Sequence, residues 1–440
     1  MEQPVNAPVV RESRERKDML APESPKGLRV IQITTNPDTV NSHIYMESHV
    51  FTPDSKRFVY QRFRKFYPDD HSKTAQDTIL CLCDIEDGFS LRQLTDETGA
   101  KAPSVSPDGK YMYYIVDQTF PGGGKMMLKR VSLDSFKRET LVVIDSPLPG
   151  TKYHPNNFYI LSTISSDGKR LAASAFLGDG EKEGPAPFGL LVFDLVNCSV
   201  NLIFEHPEFG NMHPQYCRSK DPEASHDIMI QHNHGLLFDS QRREIQPTDK
   251  KLGADVHVIR DDGTNWRDLP WGRDVNEHAH GHQCWRGEGL SAIGGVWLGP
   301  ENPVHRPLIE SLPVPTDEKT SHQGKNLPGA WRNFITREVK DPRFNHFAFD
   351  PSGTKMVADW IRYAVAGWLS REDCRLYIGS FPKGEDSSLK VKYLLHPGCS
   401  WHGWLAHPHP FLSPDGNKVF FNSDIDGNLQ IYMVDGYEYP

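Results

Sequence analysis

His407-Pro408-His409-Pro410-Phe411-Leu412-Ser413-Pro414-Asp415-Gly416 joins two imidazoles to a tight-turn sequence within ten residues. Residues two apart on an extended backbone point to the same side, and the interleaved prolines hold the backbone extended, so His407 and His409 form a ready pair of ligands. In the turn, Pro414 presets φ and Gly416 takes the positive-φ position. Lys418-Val419-Phe420-Phe421 then reads as a strand.

Outward from this stretch, turns of the same kind precede strands at Thr52-Pro53-Asp54-Ser55, Ser106-Pro107-Asp108-Gly109, Ser165-Ser166-Asp167-Gly168 and Asp350-Pro351-Ser352-Gly353. Two degenerate copies, Cys217-Arg218-Ser219-Lys220 and Arg286-Gly287-Glu288-Gly289, fill the gap between the third and fourth clear ones. An interval of roughly 50 to 70 residues suits a four-stranded propeller blade. The first unit offers its strands at Arg57-Phe58-Val59-Tyr60, Thr78 to Asp84 and Ser90 to Thr95, and long helical periodicities are absent. The last unit stops at Leu429 to Asp435 without an outer strand, while Gly27 to Thr34 carries the outer-strand pattern at the other terminus. The expected fold is therefore all-β, a seven-bladed β-propeller spanning residues 26–440 and closed by its N- and C-terminal strands, which leaves no open edge. Residues 1–25 read as a flexible N-terminal tail. Residues 299–332, rich in Pro and polar residues, read as an insertion in blade five, a lid or an oligomer contact.

The 440 residues are 37% hydrophobic and 24% charged, with 35 Gly and 34 Pro, a composition of a turn-rich globular protein. A net charge of −9 gives no basic footprint for nucleic acid or an anionic membrane. No stretch is long and apolar enough for a membrane span or a signal h-region. Seven cysteines without a CxxC pair indicate neither a zinc ribbon nor a disulfide framework, and free thiols fit a reducing compartment. A cytoplasmic location is expected.

Aligned on the turns, the residue six before the turn's aspartate or its equivalent is Ser48, Ala102 and Leu161 in the first three units, then His213, His282, His346 and His409. This position begins the innermost strand of a blade, so equivalent residues ring the channel on one face. A single histidine among 20 is more often a surface or satisfied core residue. Four in succession at one repeat position, stopping at half the ring, point to a metal or catalytic cluster. Imidazoles suit a divalent ion such as Mn, Fe, Ni or Zn, and an incomplete protein shell leaves positions for substrate. His346, His407 and His409 are the best ligand set. Cys217 and Cys284 alternate with the ring and face elsewhere. His278, His280 and His282 share one side of an extended segment, either as further ligands or as a loop delivering one general base. His213, His280 and Trp404 are candidate substrate contacts, with Trp285, Trp401 and Tyr216 as further aromatic platforms. Arg286 is a candidate partner for a substrate carboxylate.

These residues resemble the oligogalacturonate lyases, seven-bladed propellers among the pectin-degrading polysaccharide lyases. The resemblance rests on His213-Pro214-Gln215-Tyr216, His282-Gln283-Cys284-Trp285, His346-Phe347-Ala348-Phe349 and His407-Pro408-His409-Pro410 with its turn, in that order. It implies β-elimination on a uronate oligosaccharide to a 4,5-unsaturated product, a Mn-type ion on His346, His407 and His409, and His282 as the base. Two features depart from the family. Trp404 stands where a glutamine ligand is expected, with His402 a candidate replacement. Asp255 stands where an arginine is expected, with Arg260, Arg267 or Arg286 as replacements. These differences suit a relative acting on another uronate, such as a glucuronyl linkage. The repeat alone also suits a non-enzymatic interaction scaffold resembling TolB-like propellers, but such a scaffold needs no asymmetric histidine ring. A prolyl-oligopeptidase-type hydrolase is excluded by the lack of a GxSxG elbow.

Overall fold

The computed structural model describes residues 2–65, 78–181, 183–245, 253–273, 277–298, 305–316, 327, 329–362, 371–382 and 388–440. The chain is all-β; the only helices among the described residues are four 3₁₀ turns of three residues each. None of these is long and apolar enough to cross a membrane. Four-stranded antiparallel sheets follow one another in sequence order. The first holds Val40–His43, Arg57–Phe63, Thr78–Asp84 and Ser90–Gln93, the second runs from Ala100–Val105 to Arg138–Ile144, and the third from Ser162–Ile164 to Ser199–His206. The two units with degenerate turns share one larger sheet, in which Ala254 pairs with Ala279. Phe344–Phe349 begins another four-stranded sheet ending at Lys390–Leu395. The last sheet holds Phe411–Leu412, Val419–Ser423 and Gln430–Asp435, whose outer neighbour is the N-terminal strand Arg29–Gln32, paired from Arg29 with Asp435 to Gln32 with Tyr432. Inner strands of neighbouring sheets touch, and Val40–His43 lies against Val419–Ser423.

The turns explain why each inner strand ends where it does. Ser106, Ser165 and Thr52 each donate a hydroxyl to the aspartate two residues on at 2.6 Å. The same hydroxyl accepts from the backbone N–H five residues on, for example Tyr111 to Ser106 at 3.0 Å, so one side chain ties both arms of the turn. Gly109 has φ of 71°, and a Cβ there would lie 2.8 Å from Pro53 Cδ. Glycine thus serves both the left-handed turn and the close approach of the preceding turn. Asp415 N–H donates to Ser55 Oγ at 3.0 Å, joining the last turn to the first.

Two segments differ from expectation. Residues 2–25, read as a flexible tail, lie along outer strands: Glu2 bridges to Arg138, Val10 to Leu91, and Met19 is buried. Arg16, 7% exposed, anchors them through Asp18, Gln32 and Asp426. Leu308–Ser311, read as part of the insertion, pairs with Ala292–Leu298 as an inner member of its sheet, and Leu308 and Ile309 are fully buried. An apolar pair of that kind belongs to the core however polar its flanks are. Val314–Pro315 pairs with Arg267–Asp268, and residues 299–304, 317–326 and 328 lie outside the described ones.

At the turn end, His49 and Arg218 line one cavity, and burial, with Arg218 adding to it, pushes the His49 pKa down to about 3. The unfolded value is about 6.5, so the fold holds the neutral ring, and the stability this provides is lost as pH falls from about 6.5 toward 3. Between pH 6.5 and 5 the loss reaches about 2 kcal/mol. Urea denaturation of a His49→Gln variant is expected to show a correspondingly shallower decline over this range. Parallel declines in variant and wild type would show that His49 does not titrate on unfolding.

Candidate functional site

At the other end of the inner strands, backbone distortions bring the histidines together. Register shifts fall between Ala279 and Gln283 and between Phe344 and Phe347, bracketing His282 and His346. His213 and His409 have left-handed φ of 45° and 42°, two residues ahead of their strands. A bulge adds an unpaired residue and re-aims its side chain. Ala102 shows the same distortion, with φ of 53° and a register shift between Lys101 and Ser104, but no imidazole. The distortion is a property of the repeat; the imidazoles are a property of one half of it.

The His346 ring centroid lies 4.4 Å from His409, 5.4 Å from His407 and 4.4 Å from His282. The ligating atoms of His346, His407 and His409 all lie within 4.8 Å of one another. His346 Nδ1 is 2.6 Å from Asp359 Oδ2, and its backbone N–H donates to Asp359 Oδ1 at 2.8 Å. This partnership places the proton on Nδ1 and leaves Nε2 as the coordinating atom, as carboxylate–imidazole–metal arrangements require. The Asn345 side-chain amide sits 3.2 Å from Nε2. Burial pushes the pKa of His346 and His409 well below the usual imidazole value, so both present neutral lone pairs, and it raises the Asp359 carboxyl to about 7. The donor set therefore fits a divalent metal ion. Trp401 lies against His407, ring centroids 4.1 Å apart, and fixes its position. His402 is not a member of the cluster, and burial raises the thiols of Cys217 to about 11 and Cys284 to about 12, which keeps them protonated.

His282 Nδ1 lies 2.8 Å from the Asn345 carbonyl, which can only accept, so Nδ1 carries the proton and Nε2 is the basic atom. Burial pushes its pKa well below the usual value. His282, His213, His346, His407 and His409 line one cavity of about 400 Å³. His213 is held on both sides, by Glu47 at 3.0 Å and the Tyr159 hydroxyl at 2.9 Å. His280, expected beside the substrate, instead backs His282, its Nδ1 3.0 Å from His282 Nδ1, because the bulge breaks the alternation that would have aligned the two.

Arg286 is not part of the cavity. It opens the degenerate turn, donates to Glu310 at 2.9 Å and to the Gly353 carbonyl at 3.0 Å, and covers Phe381. Four residues of extended chain, roughly 13 Å, separate it from His282, so its expected catalytic role is corrected. Arg260 and Arg267 are also committed elsewhere, to Glu223 and Asp227. Trp285 and Tyr216 are core residues bonded to the Gln215 carbonyl and Asp261. The Trp404 side chain lies outside the described ones. The arginine that the cavity does contain is Arg242, between Leu237–Phe238 and Glu244–Ile245, which has no ion pair among the described residues. Tyr45, 4.8 Å from His409 between ring centroids, is a further lining residue that sequence reasoning missed.

Successive antiparallel sheets converging on neutral imidazoles define an all-β protein with a buried centre of metal-ligand geometry. In sequence and in fold the chain is similar to the oligogalacturonate lyases. Over 192 residues it is 24% identical to an oligogalacturonide lyase of Pectobacterium atrosepticum and 22% identical to an oligogalacturonate lyase of Dickeya dadantii; each alignment covers 42% of this chain and 43% of the relative. The matched part thus spans less than half the length of these relatives. No family model matches the sequence. Among solved structures, an oligogalacturonate lyase in complex with manganese superposes with a TM-score of 0.67 at 18% identity, covering 100% of this chain and 99% of the other. The oligogalacturonate lyase of Vibrio parahaemolyticus gives 0.66 at 16%, covering 99% of both.

Proposed function

We propose that the chain is a seven-bladed β-propeller closed by its terminal strands and that it cleaves uronate oligosaccharides by metal-assisted β-elimination, leaving a 4,5-unsaturated uronate. The observation that carries this reading is the convergence on one cavity of three imidazoles with metal-ligand spacing, a fixed neutral imidazole and an arginine without an ion pair among the described residues. His346, His407 and His409 would hold the ion. A bound divalent cation supplies charge neutralisation at the substrate carboxylate, which lowers the cost of removing the proton on the adjacent carbon. His282 Nε2 accepts that proton from C5, the electron pair forms the C4–C5 double bond, and the C4–O bond breaks, its oxygen taking a proton from solvent water as it leaves. The Asn345 carbonyl keeps the His282 ring oriented throughout. Arg242 pairs with a substrate carboxylate, the role expected of the arginine that the sequence lacks at Asp255. Manganese, bound in a structural relative of similar fold, is the ion proposed here. A cytoplasmic location suits short oligosaccharides, since polymers do not enter cells.

The test is the absorbance of unsaturated uronate formed by metal-loaded protein from galacturonate and glucuronate di- and trisaccharides. A signal with either series supports the reading and identifies the substrate; no signal with any uronate overturns it. In the same assay, Arg242→Gln is expected to raise KM about 10- to 100-fold, the loss of a charge-assisted hydrogen bond, with metal content unchanged. An unaltered KM would remove Arg242 from substrate binding.

A further inference from the structure

A second group of metal-type donors lies outside this cavity. His232, on Asp227–Asn233, stands directly opposite Asp255, on Ala254–Arg260, and His234 follows two residues later. The ligand atoms of the three residues all lie within 4.8 Å of one another. None of them belongs to the imidazole cluster or lines its cavity.

Asp255 carries the argument. It is 0% exposed, yet among the described residues neither carboxylate oxygen accepts a hydrogen bond; the approach of His234 Nε2 at 3.4 Å falls outside hydrogen-bond geometry. A buried carboxylate without donors is strongly disfavoured unless a cation meets it. Arg273 donates to the Leu269 carbonyl at 3.1 Å and contacts Asp268 at 3.3 Å. The remaining neighbours are arranged as a support. His257 Nδ1 is 2.7 Å from Asp268, and Phe209 stacks on His232 with ring centroids 5.3 Å apart. Glu208, 39% exposed, brings a carboxylate oxygen to 3.7 Å from His232 Nε2 and opens the group toward solvent. Two imidazoles and one carboxylate form a donor set that takes divalent first-row ions and leaves positions for further ligands.

We propose that His232, His234 and Asp255 form a second metal site, independent of the imidazole cluster, that takes a divalent transition ion, with Glu208 as a further ligand. The site clips together two strands of one sheet immediately before the hairpin that carries Arg242.

The test is calorimetric titration of metal-free protein with Mn²⁺ and with Zn²⁺, with elemental analysis of the dialysed product, for wild type, His407→Ala, Asp255→Asn and His234→Gln. Wild type is expected to bind two equivalents, and His407→Ala and Asp255→Asn one each. His234→Gln, at a part-exposed position where misfolding is less of a concern, is expected to weaken one equivalent at least ~10-fold and leave the other intact. A single wild-type equivalent that disappears in His407→Ala and persists in Asp255→Asn and His234→Gln overturns the second site and spares the first. A single equivalent that persists in His407→Ala and disappears in Asp255→Asn overturns the reading of the imidazole cluster instead. No bound ion in wild type overturns both.

Discussion

His407→Ala is expected to lower kcat/KM for uronate elimination about 10³-fold and to remove the ion of the imidazole cluster. Charge stabilisation by a bound cation is worth several kcal/mol in such reactions, and each 1.36 kcal/mol is tenfold in rate. Of the three proposed ligands, His407 offers the clearest experiment. His346 is 1% exposed and tied to Asp359, and His409 is 4% exposed and packed against Tyr45, so removing either disturbs the core as well as the ligand set. His407 is only half-buried and follows a 3₁₀ turn in extended conformation, with φ of −86° and ψ of 150°, so its truncation leaves the inner strand in place. Thermal unfolding without metal should therefore be close to that of wild type, while the stabilisation that added Mn²⁺ gives wild type should shrink. A variant that keeps both the ion and the rate would mean that His407 is not a ligand and would reduce the cluster to two imidazoles.

What was legible in the sequence was what recurs locally. Ser-Pro-Asp-Gly encodes its own turn through a hydroxyl, a carboxylate and a positive-φ glycine within four residues, so the repeat, the all-β character and the histidine position could be read without knowing any contact. The sequence does not display the bulges. The left-handed His213 and His409 and the register shifts at His282 and His346 have no residue-type signature, although they aim the rings. The same bulge turned His280 from a substrate contact into support for His282. Arg286 was misplaced because nearness in sequence to His282 was read as nearness in space, whereas along a strand it places the two at opposite ends. Arg242 lies in a hairpin with no counterpart in the other units among the described residues, so alignment of repeats could not reach it. Asp255 stood out only as the residue occupying an arginine's place. Its position opposite His232 depends on cross-strand register, which a single sequence does not give.

His282→Gln is expected to lower kcat by about 10²- to 10⁴-fold, the usual contribution of a general base, while the ion content stays that of wild type. Glutamine is chosen because its side-chain N–H₂ can still donate to the Asn345 carbonyl, which otherwise would be left buried without the donor that His282 Nδ1 provides at 2.8 Å. The packing beside His346, whose ring centroid is 4.4 Å away, is then preserved as far as a substitution allows. This variant would separate the two roles proposed for the cavity: His407→Ala is expected to remove ion and rate together, whereas His282→Gln is expected to remove rate alone. With substrate deuterated at C5, the residual activity should show a primary isotope effect, because proton removal would then limit turnover. A His282→Gln enzyme within about threefold of wild type, far short of the loss expected for a general base, would place the base elsewhere. The candidate in that event is Tyr45, which lines the same cavity; burial raises its pKa well above the usual phenol value, which makes it the poorer base. The neutral, backbone-oriented imidazole of His282 is therefore the residue on which the proposed mechanism depends most directly.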